Sequence, residues 1–138
     1  MIKYTLELLF PKKVNENEVT NIDYQVTSDP ATLPQLSLPK NTMPHIMQPG
    51  DSITFTYNKK DIDIESCIFT LYPLKDTDVQ DAYLNPGKEQ ITNFENSFDK
   101  PITITPSFKG TWIFHLLGMY KKDKKHYAFY LDPEASCG

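Results

Sequence analysis

Three histidines, two cysteines and a cluster of aspartates are the side chains of this 138-residue chain whose types suit them to chemistry. His45, His115, Met119 and one of Cys67 or Cys137 make the sharpest metal-ligand set. Two imidazoles, a thiolate and a weak axial thioether are what a mononuclear copper electron-transfer centre requires. Spacing works against that centre. On an extended strand rising ~3.3 Å per residue, His115 and Met119 stand about 13 Å apart, too far to share one ion unless the chain turns sharply at Gly118. The expectation is therefore that His115 is an ordinary strand residue, that Met119 belongs to the core, and that no metal or other cofactor is bound.

The acidic residues form a second set. Asp61, Asp63 and Glu65 alternate onto one face of a short strand, while Asp76, Asp78 and Asp81 crowd a polar stretch. Calcium takes several oxygen ligands from such loops, but the glycine and closing glutamate of an EF-hand loop are missing. A solvated surface explains the same residues. Asp76, Asp78, Asp81 and the neighbouring Tyr83 are the candidate ligand-binding residues, with Tyr83 or Trp112 available to stack on a sugar. The cluster Lys121, Lys122, Lys124 and Lys125 fits an anionic partner, or a solvated hairpin tip that keeps a sheet edge from pairing with another chain. No nucleophile elbow, P-loop or H-E-x-x-H is present, and the chain is not expected to be an enzyme.

The elements that must hold these residues are strands. Apolar residues alternate at Ile2, Tyr4, Leu6, Leu8 and Phe10, again at Ile22, Tyr24 and Val26, and again at Ile53, Phe55 and Tyr57, the period of a half-buried strand. Residues 28 to 50 carry five prolines, which lack an amide donor and so predict an irregular crossing segment. Residues 67 to 74 form a run apolar on both faces, expected in the middle of a sheet. Residues 75 to 99 read as a long polar connection. Residues 102 to 105 make a short strand, and TWIFHLLGMY and HYAFYLD pair as a hairpin about KKDKK. The fold class is all-β: one domain over residues 1–138, an antiparallel two-sheet sandwich of about seven to nine strands, cupredoxin-like or Ig-like.

Composition narrows the partners. A net charge of −4, with lysine supplying all 14 basic residues, lacks the basic surface and the guanidinium forks that nucleic acid favours. No apolar run reaches the length of a membrane span. The start, MIKYTLELLFPKK, alternates instead of forming a signal-peptide core. Cytoplasmic residence is expected, with Cys67 a buried free thiol and Cys137 a loose terminal one, a Cys67–Cys137 disulfide being the alternative. A second copy of the chain and a glycan are the partners left open.

Two resemblances add to this reading. PGDSITFTY and FKGTWIFHLLGMY resemble the corresponding strands of cupredoxins. There a cysteine commonly follows near the end of the second strand, whereas here Leu116 and Leu117 stand in those places, which implies the sandwich without its copper. PGDSITFTY followed by CIFTLYPL, a long variable loop, and a terminal hairpin ending in Asp132-Pro133 together resemble the bacterial inclusion-body protein family, the PixA/AidA-like proteins, over about residues 20 to 135. That family's tryptophan-rich strand after "GD" is absent. The resemblance implies a compact cytoplasmic sandwich acting by binding or self-assembly, and it carries over no catalytic residue. A carbohydrate-binding module, with calcium at the aspartate loop, is the competing reading.

Overall fold

The computed structural model describes residues 1–14, 18–29, 36–73, 91–93, 98–104, 106 and 109–138. Among them the chain forms eleven strands and no α-helix: β1 (Lys3–Leu9), β2 (Thr20–Asn21), β3 (Asp23–Ser28), β4 (Leu36–Ser37), β5 (Ser52–Tyr57), β6 (Asp63–Pro73), β7 (Ile91–Asn93), β8 (Pro101–Thr103), β9 (Gly110–Lys122), β10 (Lys125–Leu131) and β11 (Glu134–Cys137). The count exceeds the expected seven to nine because β2, β4, β7 and β11 are only two to four residues long, too short to alternate visibly.

One sheet has the order β4-β3-β1-β5-β8; the other has the order β2-β10-β9-β6-β7, with β11 pairing β9. The sheets are mixed, not antiparallel as expected from sequence. β1 runs parallel to β5, and β10 runs parallel to β2. The cause of the first lies in the proline-rich crossing. β3 ends beside the start of β1, with Ser28 opposite Tyr4, and β5 begins at that same end, with Ser52 opposite Lys3. A connection that leaves and returns at one end of the sheet forces β5 to run the way β1 runs.

The alternation sets the faces. Tyr4, Leu6 and Leu8 of β1, Tyr24 and Val26 of β3, and Ile53 and Phe55 of β5 are buried on the inner side of the first sheet. Cys67, Phe69, Trp112, Phe114, Leu116, Tyr120, Phe129 and Leu131 meet them from the second. Aromatic rings link the two layers: Phe55 lies 5.5 Å from Phe69, which stands edge-on to Phe114 at 5.9 Å. Such tilted and T-shaped contacts suit the ring quadrupoles.

Both ends of β1 are tied to distant segments. Near its C-terminal end lies the β9–β10 hairpin, which closes through Asp123 and Lys124, both with positive φ (52° and 66°), as a two-residue primed turn demands. One lysine of this tip turns inward: the Lys122 ammonium donates to the carbonyls of Pro11 (3.1 Å) and Lys12 (2.8 Å), tying the hairpin to the chain after β1. At the opposite end of β1, buried Asp51 accepts amide hydrogens from Ile2 and Gln48, each at 2.8 Å, where the parallel β1–β5 ladder begins.

Candidate functional site

The candidate ligand residues Asp76, Asp78, Asp81 and Tyr83 lie outside the described residues. The copper-type ligand set does not assemble. Cys67 is buried on the inner side of β6, while Met119 is 38% exposed on the outer side of β9, a correction to its expected place in the core. The reason is parity. Met119 follows the outward residues His115 and Leu117 at two-residue steps, whereas Trp112, Phe114, Leu116 and Tyr120 share the inward face. His45 is exposed in the crossing segment. Among the described residues, no three of His, Cys, Asp and Glu converge on a point that could hold a metal ion.

Cys137 is buried too, not a loose terminal thiol. It belongs to β11, opposite Gly110 of β9, and its strand is flanked by Met47, whose amide donates to the Ser136 carbonyl at 2.8 Å. Both cysteines are free. Burial pushes the Cys67 thiol up to about 12 and the Cys137 thiol up to about 11, from an ordinary 9.0. Thiolate is the reactive form, so neither should react with a disulfide reagent at pH 8 in the native protein, and both should react after denaturation. The same shifts set a pH trend. Above pH 9 the unfolded chain loses both thiol protons while the folded chain keeps them. Stability is therefore expected to fall as pH rises from about 9 through about 12, and a denaturation series across that range measures it.

The acidic alternation of residues 61 to 65 is broken by a register shift in β6 between Ile64 and Ser66. Asp61 stays in the turn before β6, where its carboxylate accepts from the Asn58 amide at 3.1 Å. Asp63 pairs across the ladder with Lys121, and Glu65 meets the His126 ring.

Two surfaces remain as candidate sites. The first is the outer face of the β10-β9-β6 layer. Ile68 is 53% exposed and Leu117 45%, and they face each other across the β6–β9 ladder; Met119 lies one step along. With Ser66 and Ala128 they line a shallow, mainly apolar groove of about 510 Å³. Gly118, between Leu117 and Met119, turns its missing side chain toward the core. A Cβ there would lie 2.3 Å from the Ser66 carbonyl oxygen and 2.9 Å from the Phe129 ring. Backbone cannot yield as a flexible side chain can, so Gly118→Ala is expected to cost about 1–3 kcal/mol, read as a lowered denaturant midpoint. The two-sided apolarity of β9 is visible in the sequence; the glycine's role is not, because its obstacle comes from a strand some fifty residues earlier.

The second surface is a cleft of about 450 Å³ at the end of the sandwich where β1 finishes. Three segments build it: Glu7 to Phe10 with Lys12, the turn Asn58 to Ile62, and the hairpin tip at Lys122 and Asp123. Phe10 is wedged among Tyr57, Tyr120 and Phe129, with centroids 6.4, 4.6 and 5.2 Å away. The sequence singles out Lys122 and Asp61 among these residues, for an anionic partner and for calcium, and places none of them in a cleft. Its three segments are too far apart in the chain for spacing to reveal it.

Compared with protein-family models, curated proteins and solved structures, the chain finds no match in any of the three.

Proposed function

We propose that this chain is a non-catalytic, cytoplasmic β-sandwich that acts by associating with a second copy of itself through the outer face of β6, β9 and β10. The single observation behind this reading is the exposure of Ile68, Leu117 and Met119 side by side on strands that are interior to their sheet. Contiguous exposed apolar side chains at such a place signal an interaction surface. A second copy suits the rim. Lys121 stands across the ladder from Asp63, and the His126 ring contacts Glu65, so the groove is flanked by side chains of both signs and does not present charge of one sign to an identical neighbour despite the net charge of −4. A two-fold pairing also places the same apolar residues against themselves, the arrangement of most soluble oligomers.

The patch is smaller than the roughly 800 Å² per partner of a standard interface, so the association is weak and concentration-dependent. The parallel β1–β5 pair and the closing β9–β10 hairpin are in keeping with a cupredoxin-like arrangement more than an Ig-like one, and the resemblance to the inclusion-body family is in keeping with self-assembly. Sedimentation velocity over a hundredfold concentration range tests the reading. Wild type should shift from monomer toward dimer, and Leu117→Lys should stay monomeric with an unchanged melting temperature. A wild type that is monomeric throughout, or a variant that associates equally well, would refute it.

A further inference from the structure

The cleft at the end of the sandwich has a chemistry of its own, separate from the apolar face. Its charged lining is balanced: Glu7, Asp61 and Asp123 against Lys12, Lys60 and Lys122. Lys122 is committed to the Pro11 and Lys12 carbonyls, and so fixes one wall to the other. Asn58 fixes the turn, its amide nitrogen donating to Asp61 and its oxygen accepting from the Lys60 backbone amide, both at 3.1 Å. That leaves the side chains of Glu7, Lys12, Lys60 and Asp123 without a partner among the described residues, around a floor formed by Leu8, Phe10 and Ile62.

We infer that this cleft binds a neutral, polyhydroxylated ligand, a short oligosaccharide, without a metal ion. Adjacent hydroxyl groups each donate and accept, so they match a lining that carries both carboxylates and ammonium groups; an anion would meet three carboxylates, and an apolar ligand would leave the four unpartnered charges desolvated. The half-buried Phe10 supplies an apolar surface for the C–H face of a sugar ring, held in place by its three aromatic neighbours. The volume falls within the range of small-molecule sites. The walls come from both sheets and are cross-tied before any ligand arrives, so little ordering cost attends binding.

The test is a glycan array of neutral and acidic oligosaccharides probed with the whole protein in chelator, followed by calorimetry on the strongest hits. Neutral oligosaccharides should bind in chelator, and Lys60→Ala and Glu7→Ala should each weaken that binding at least tenfold, with melting temperatures near wild type. Leu117→Lys, on the other face, should bind as wild type does. The same calorimetry with inorganic phosphate should register no heat of binding. The inference is overturned by an array with no neutral hit, by binding that requires calcium, by phosphate binding in place of sugar, or by hits that Lys60→Ala and Glu7→Ala leave untouched.

Discussion

Trp112→Ala is expected to lower the free energy of unfolding by about 3–5 kcal/mol, the usual cost of truncating a large aromatic in a core. Trp112 is 1% exposed, and its neighbours across the ladders are Pro73 of β6 and Ala135 of β11. No small shift of three strands refills a space of that size, so the cavity term adds to the lost transfer energy. Stacking on a sugar would need this ring at the surface; burial removes that role, and in the sugar cleft proposed beside the end of β1 the ring is Phe10. Chemical denaturation of the variant measures the cost. Because Trp112 is the single tryptophan, wild-type emission offers a second reading: it should be blue-shifted in the native state and move to the red on unfolding. A variant that unfolds at the wild-type midpoint would mean that β9 presents its other face to the core.

Along β1, β3 and β5 alternation assigns the inward residues correctly, because one slip of register would bury the polar set. β9 is apolar on both sides, so alternation alone does not decide its inward face, and Met119, expected in the core, points outward. What alternation lacks is direction. Parallel and antiparallel neighbours need the same pattern of inward residues, so the β1–β5 pairing follows only from where the crossing segment returns. β11 is hidden for a different reason. EASC offers just two inward residues, Ala135 and Cys137, and its strand character comes from pairing along β9. The two candidate surfaces divide similarly. Leu117 announces the outer face through a run apolar on both sides, though Met119 reads as core, whereas the cleft joins positions near 10, 60 and 122 that no spacing connects.

Asp51→Ala is expected to destabilise the fold by roughly 3 kcal/mol, since hydrogen bonds to a charged group contribute about 1.5–3 kcal/mol each and two are lost. Asp51 follows Pro49-Gly50 and stands just ahead of β5. In the fold it is 4% exposed, and its two carboxylate oxygens are divided between Ile2, 49 residues away, and Gln48. Its backbone is equally engaged: the Asp51 amide donates to the Gln48 carbonyl, and its own carbonyl accepts from Ile104 at 2.7 Å. One residue thus joins the start of β1, the start of β5 and the chain leaving β8. Alanine keeps the backbone bonds but leaves the part-buried Ile2 and Gln48 amides without their acceptor, which is the costly half of a broken hydrogen bond. Asp51→Asn separates this account from a simple loss of charge. Its side-chain oxygen can still accept from one amide, but its NH₂ group meets the other donor, so it should recover only part of the stability. Equilibrium denaturation should therefore rank wild type above Asp51→Asn, and Asp51→Asn at or above Asp51→Ala. Amide exchange should accelerate most at Ile2 and Gln48. Were both variants as stable as wild type, the carboxylate would not be what holds the parallel pair together.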